Sequence, residues 1–469
     1  MKESWVEMIQ NLYTHNRASM TYNNTKSRWI ETNVGLRQGC PLSCVLFMLY
    51  ISDLDPKLQT QEVGFRVKTA KWTWNMKEKP YFHIPALFFA DDIVLMATNY
   101  GDMEKLLRIT TEFGVENDLE FNPDKSAVVV YSPQNIGVCR ELTIQGKILP
   151  QTTHYKYLGV VISDAKNYLN KQEECWEKVA TTTLHQMHAT SLWGFNRFEI
   201  SKIQWKATAV PKLTYANSVL VMSAGLRLKL EKTQRDAGRW ALGIPGAKVS
   251  NEFVEGELGW SSFEARDAQS KLRYLERVRS MSQTRWPKTI LTMQDLTNKR
   301  TKMYQETERL RAKYKCEDIS LQYDTSGRPL LNLYNRKIKE RILEVQTEVW
   351  KQNMIAKSSL ELYSKGKTSR GVPSGLYDNR RGSVLLALAR ADMLPTRTHK
   401  MNSGSDKTCP RCGIYEETAK HIIFECNDIY YTEENLLARL GLHTEANTAT
   451  EVKKAKKVLE DWDKQRSAE

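Results

Sequence analysis

The sequence predicts an α+β fold: a mixed helix–strand region, then a mainly helical one, then a small metal-binding end. Three observations predict it. Over residues 1–165, apolar runs of strand length alternate with amphipathic stretches. From 166 to 345, tryptophan and leucine recur at helical spacing. Near the C-terminus, Cys409, Cys412, His421 and Cys426 fall within a few turns of chain. A segment rich in glycine, serine and charge, Lys365 to Arg381, marks residues 346–380 as a linker before a C-terminal region of 381–469.

In chain order, residues 1–30 read as a helix followed by the strand "RASMTYNN". The glycine-bearing loop "GLRQGCP" leads into a helix, "LSCVLFMLYISDL", with Pro41 suited to its first turn. That helix is expected to end near Asp53, because Pro56 disfavours helical geometry at Asp55. "IPALFF" and "IVLMA" read as two strands joined by a tight turn at Ala90–Asp92. "GDMEKLLRITTEFGVENDL" has the spacing of a helix through Met103, Leu106, Leu107 and Phe113. "SAVVVYS", "ELTIQG" and "YKYLGVVIS" read as further strands. Beyond the helical region, "RGSVLLALARADM" is a helix and a charged helix closes the chain. Trp176, Trp193, Trp205, Trp240 and Trp260 are expected mostly in the core.

Composition narrows the class. Of 469 residues, 41% are hydrophobic and 26% charged, the profile of an ordinary globular protein. No apolar run reaches the ~18 residues of a membrane span, and no apolar core follows Lys2 to make a signal peptide. The eight cysteines therefore read as intracellular thiols or metal ligands, not a disulfide frame. The net charge of +14 is unevenly placed: residues 1–160 hold 17 basic and 17 acidic residues, and the remainder holds 52 and 38. Lys271–Lys315 alone carries 13 basic residues against 4 acidic. Such a run is most often a solvated helix face. An excess confined to one part of the chain suggests a polyanion, most simply nucleic acid.

The stretch "ALFFADDIVLMA" places Asp91 and Asp92 between two apolar runs. Burying them would require a positive partner. Alone, an Asp-Asp pair more often marks a turn whose side chains cap backbone amides. On a tight hairpin it also makes a hard, oxygen-rich site suited to Mg²⁺. "CPRCGIYEETAKHIIFEC" spaces Cys409, Cys412, His421 and Cys426 as four ligands for one tetrahedral, structural Zn²⁺, with Arg411, Lys407 and Lys420 beside it for a nucleic-acid backbone.

Four blocks in order, "GLRQGCPLSCVLFMLYISDL", "FFADDIVLMA", "FNPDKSAVVVYS" and "YKYLGVVIS", resemble the palm of reverse transcriptases from non-LTR (LINE-type) retrotransposons. The resemblance covers residues 1–165 closely and loosens through 166–345. The C-terminal cysteine cluster also looks like one in these elements. It implies a reverse-transcriptase-like palm at 1–165, a basic thumb and connector at 166–345 and a zinc knuckle within 381–469. By that resemblance Asp91 and Asp92 hold catalytic Mg²⁺, and Phe89 is the aromatic residue beside them. Arg37, Gln38 and Gly39 lie against template and incoming nucleotide. Lys125 stands near the nucleotide phosphates, and Tyr157, Leu158 and Gly159 grip the primer end. Cys44 stands where the family usually has proline, which implies a local change at the helix start.

The implied activity is RNA-directed DNA polymerisation by two-metal nucleotidyl transfer. The implied partners are an RNA template, a DNA primer or target and deoxynucleotides, in the nucleus or a cytoplasmic ribonucleoprotein. The family's third carboxylate, in an "F-x-D-x-x-x-A-[FY]-D" stretch, has no counterpart before Arg37 here, and Asp53 and Asp55 end a helix instead. The expectation is an N-terminally truncated portion of a longer polyprotein with impaired catalysis. The alternative is a non-catalytic nucleic-acid-binding remnant that uses the basic helices and the zinc knuckle.

Overall fold

The computed structural model describes residues 3–32, 35–68, 81–131, 140–190, 196–297, 300–400, 406–424, 426, 432–443 and 448–468. The chain divides into two compact units, Met1–Thr153 and His154–Glu469.

The N-terminal unit is α+β. Its first helix, Glu3–Tyr13, buries none of its residues. A nested hairpin comes next, with Arg17–Ala18 paired to Ile30–Glu31 and Thr21–Tyr22 to Thr25–Lys26. The helix Pro41–Ile51 starts behind Cys40, whose backbone is extended and whose side chain makes no cap; Pro41 occupies the first turn, where a missing N–H leaves nothing unpaired. The chain then breaks at Ser52–Asp53, as expected. Contrary to expectation, Asp55 is helical: a second helix, Leu54–Gln59, takes Pro56 into its own first turn. Phe65–Lys68 pairs antiparallel with Tyr81–Ile84, and Ala86–Phe89 with Asp92–Leu95. The helix Tyr100–Glu116 is capped by Asn99, which accepts from Asp102 N at 2.8 Å and donates to its carboxylate at 2.9 Å. One face of that helix, Leu106, Ile109 and Phe113, packs with Ile51, Leu54, Leu58 and Ala86. The other face, Tyr100 and Leu107, packs with Leu142, Ile144 and Leu149.

The predicted strand "SAVVVYS" makes only an isolated parallel bridge, Val128 to Gln151. "ELTIQG" becomes a short hairpin, Thr143–Ile144 against Lys147–Ile148, turned at Gln145 and Gly146 with φ of 46° and 77°. Every ladder among the described residues is two-stranded and antiparallel, so the expected palm strands do not join into one sheet there.

The second unit opens with the hairpin His154–Tyr157 and Val160–Ser163 and is otherwise mainly helical among the described residues. Its longest helices are Asn170–Thr190, Ala224–Leu242, Phe263–Arg279, Leu331–Ile355 and Thr448–Ala468. The start and stop chemistry is legible at Ala224–Leu242, where Ser223 accepts from Leu226 N and Gly243 closes at a left-handed φ of 76°. Trp176, Trp205 and Trp260 are buried as expected and Trp240 packs partly buried against the same core; Trp193 lies outside the described residues. Residues 346–380, expected as a linker, belong to this core. The helix Leu331–Ile355 runs into the segment, and Trp350, Met354, Leu360, Tyr363 and Tyr377 are buried. Its glycines and charges had masked the spaced aromatics that bury it.

At the centre of that core, Glu257 and Arg390 pair at 2.8 Å with both side chains fully buried. Tyr363 donates to the same carboxylate at 2.6 Å, Tyr377 donates to its other oxygen, and Arg390 also donates to Leu440 O. Burial pushes the Glu257 carboxyl up, but Arg390 and Lys367 outweigh it and hold it below the usual range. A buried ion stripped of its partner costs about 3–5 kcal/mol. Arg390→Met is therefore expected to lower unfolding stability by about that amount, read as a shift in the guanidinium midpoint of the full chain; an unchanged midpoint would show that the pair is not central.

Candidate active site and metal centre

The apolar flanks of the Asp91–Asp92 pair act as a root and its turn as a tip. Ala86 is buried, Leu87 and Phe88 are half-buried, and Phe89 is 62% exposed. In register, Phe89 lies opposite Asp92 as the last pair of the hairpin, leaving Ala90 and Asp91 as its two-residue turn. Ala90 takes a left-handed φ of 51°, which costs a residue with a Cβ about 1 kcal/mol. Asp91 and Asp92 are both exposed. Hydration therefore carries their charge, and the positive partner that burial would have demanded is not needed. Among the described residues neither carboxylate accepts a hydrogen bond or forms an ion pair, so the pair does not cap its own turn. No third acidic, histidine or cysteine ligand joins them within 4.8 Å among the described residues.

The loop before Pro41 is held by an interaction that its sequence does not announce. Arg37 turns back onto the end of the helix Glu3–Tyr13. It donates to Leu12 O at 2.7 Å and to the Asn16 side chain, and lies over the Tyr13 ring at 5.8 Å. Ser43 Oγ donates to Arg37 O at 2.8 Å. Gln38 and Gly39 are exposed, and Gly39 has a φ of 82° with no atom near the place of a Cβ. Lys125 is exposed at the end of a single 3-10 turn, Pro123–Lys125, started by Asn122. Arg37, Gln38, Gly39, Phe89, Asp91, Asp92 and Lys125 thus share the N-terminal unit, and Tyr157, Leu158 and Gly159 belong to the second unit. In that second unit Tyr157 and Leu158 are half-buried and Gly159 is exposed, with Leu158 and Gly159 turning the hairpin at φ of 47° and 80°.

The cysteine cluster converges. The ligand atoms of Cys409, Cys412, His421 and Cys426 all lie within 4.8 Å of one another. Cys409 Sγ and Cys426 Sγ are 3.8 Å apart, and Cys412 Sγ is 3.4 Å from His421 Nε2. Tetrahedral zinc with ordinary Zn–S and Zn–N bonds has edges of about 3.8 and about 3.5 Å, so the donor set fits that ion. The turn that carries Cys409 and Cys412 is closed by Gly413 N to Cys409 O at 2.8 Å and Cys409 N to Tyr415 O at 2.7 Å. Thr418 caps the helix Ala419–Ile423 that carries His421, and Cys426 lies beyond its end. The segment that carries the cluster is anchored by Glu417, fully buried, which accepts from Trp462 Nε1 at 2.8 Å and Arg397 N at 2.5 Å. That anchor was hidden in the sequence, because Trp462 sits in a charged terminal helix.

Much of the Lys271–Lys315 charge is spent internally. Arg227, Arg309 and Lys313 converge on Glu264, Arg227 and Arg309 also pair with Glu306, and Arg279 and Arg311 pair with Glu276. Arg277, Arg285, Lys302 and Lys315 remain on the surface.

Comparison with known proteins bears on this arrangement. Residues 2–162 match the family model for reverse transcriptase (RNA-dependent DNA polymerase). A stretch of 161 residues, 32% of the chain, is 32% identical to the retrovirus-related Pol polyprotein from type-1 retrotransposable element R2 of Nasonia vitripennis, covering 14% of that protein. Over 348 residues, 71% of the chain, it is 25% identical to the retrovirus-related Pol polyprotein from type-2 retrotransposable element R2DM of Drosophila melanogaster, covering 29% of it. Over 221 residues, 46% of the chain, it is 22% identical to the RNA-directed DNA polymerase from mobile element jockey of Drosophila funebris, covering 20% of it. The chain spans less than a third of the length of each of these relatives. The second similarity is too long to end in the N-terminal unit and reaches into the helical one. Residues 2–162 thus match a reverse-transcriptase domain, and the relatives that share similarity with the chain are polyproteins and a polymerase of retrotransposable and mobile elements.

Proposed function

We propose that the chain is the polymerase portion of a LINE-type element, acting on an RNA template and a DNA primer or target, with the N-terminal unit as palm and the helices after it as thumb and connector. The observation that carries this is the Asp91–Asp92 turn: two adjacent carboxylates, exposed and unpartnered among the described residues, at the tip of a hairpin with a packed root. Water-facing carboxylates on a rigid support are what a hydrated divalent cation and a nucleotide triphosphate require. Asp91 and Asp92 would hold Mg²⁺, which when bound supplies charge neutralisation and alignment of the phosphates. The exposed glycine at position 39 lets backbone approach the nucleotide closely, and Arg37 fixes that loop from behind. Lys125 would stabilise charge on the leaving pyrophosphate or protonate it. No helix among the described residues is long and apolar enough to cross a membrane, and the proposed setting is the nucleus or a cytoplasmic ribonucleoprotein.

The test is Mg²⁺-dependent primer extension on an RNA template by the full chain. Asp91→Asn is expected to reduce the rate at least ~100-fold. Extension that persists unchanged in Asp91→Asn/Asp92→Asn would refute the assignment. Template–primer binding with no extension by the unaltered chain would favour the binding remnant instead.

The four-residue cluster is proposed as a structural zinc knuckle beside Lys407, Arg411 and Lys420. The purified chain is expected to hold about one zinc per molecule by atomic absorption. Cys412→Ser is expected to lose it and to lower the melting temperature. Equal metal content in the variant would sink the ligand set.

A further inference from the structure

The turn Leu158–Gly159 is held from outside its own hairpin. Both residues are left-handed, and for leucine that is an uncommon conformation that needs support. The support comes from Tyr215, which is 57 positions away in sequence. Its hydroxyl donates to Leu158 O at 2.8 Å. Its ring lies against Gly159 so closely that a Cβ there would stand 3.0 Å from Tyr215 Cε1. A glycine at 159 therefore answers both the φ of 80° and the approach of the ring.

Tyr215 is itself placed by two devices. The helix Arg197–Gln204 passes through one π turn, Trp205–Ala209, into Val210–Leu213, with Val210 N donating to Trp205 O. Pro211, next in the chain, has no N–H to give the regular ladder, and the extra residue in the π turn shifts the phase of the helix beyond it. The turn Thr214–Leu220, bent at Ala216 with a φ of 59°, is then gripped by a buried lysine. Lys271, paired with Asp267, donates through Nζ to Asn217 O at 2.5 Å and to Leu220 O at 2.6 Å. A fully buried ammonium is retained only where acceptors surround it, and here two of them are the carbonyls of the segment that carries Tyr215.

We propose that Tyr215 is a positioning residue for the primer strand: it locks the Leu158–Gly159 turn in the shape that meets the primer end. The proposal rests on reading Tyr157–Leu158–Gly159 as the primer-gripping turn. Tyr215 does not touch the reacting atoms. It acts through the turn, by a hydroxyl that phenylalanine lacks and a ring that phenylalanine keeps.

The experiment measures equilibrium binding of the full chain to a fluorescent RNA template carrying a recessed DNA primer, and to the same RNA single-stranded. Tyr215→Phe is expected to weaken hybrid binding roughly three- to tenfold, the loss of one hydrogen bond, and Tyr215→Ala to weaken it further. Single-strand affinity and melting temperature should stay unchanged, and amide exchange at Gly159 and Val160 should quicken. Tyr157→Ala serves as the control for the grip. If it weakens hybrid binding while both Tyr215 variants bind like the unaltered chain, the positioning role is overturned and the grip survives. If neither Tyr157→Ala nor the Tyr215 variants alter hybrid binding, the grip reading falls, and the proposal falls with it. Equal losses on hybrid and single strand with a lowered melting temperature would make Tyr215 merely structural.

Discussion

The helical unit depends on one buried charge pair. Glu257 and Arg390 have no water to hydrate them, so their opposite charges must be answered by protein. The answers come from far apart in the chain: Tyr363, Tyr377 and the Leu440 carbonyl. Pairing one carboxylate with one guanidinium thus draws the helices Asn251–Leu258 and Arg381–Arg390 together with three other segments. Hydrophobic burial supplies most of the driving force around them. The ion pair supplies direction, because a buried charge is tolerated only where the opposite charge and hydrogen-bond partners meet it. This is why a stretch rich in glycine and lysine ends as core.

The candidate catalytic pair obeys the opposite physics. Asp91 and Asp92 are carried out of the apolar root of their hairpin and left in water. Their charge costs little there, and it stays available to a cation. The strain appears in the backbone instead, at Ala90, whose left-handed φ closes the two-residue turn. The Leu158–Gly159 turn repeats the device in the second unit, with Tyr215 as its brace. Both turns combine a tight left-handed bend with residues that the reverse-transcriptase resemblance places at the substrate.

Charge elsewhere divides between structure and surface. The basic run Lys271–Lys315 looked from its composition like a polyanion-binding face. In the fold, Glu264, Glu276 and Glu306 collect five of the unit's arginines and lysines into partly buried networks, and Lys271 is inside. The charge left on the surface is a smaller set that includes Arg277, Arg285, Lys302 and Lys315.

The sequence by itself determined the features that depend on local chemistry. The Asp-Asp hairpin, the helix Tyr100–Glu116, the burial of Trp176, Trp205 and Trp260, and the convergence of the four cysteine-cluster residues arise from residue types at fixed spacing. The resemblance to LINE-type reverse transcriptases was legible in the same way, because its blocks are short and ordered along the chain. Tertiary structure alone decided the features that depend on partners distant in sequence. No local pattern says that Arg37 will turn back to Leu12, that Trp462 will anchor the segment of the cluster through Glu417, that residues 346–380 will pack inside, or that Tyr215 will brace Leu158. Each of these is a polar or aromatic group whose role is set by desolvation. Which groups lose water is a property of the whole packed chain, and no window of sequence contains it.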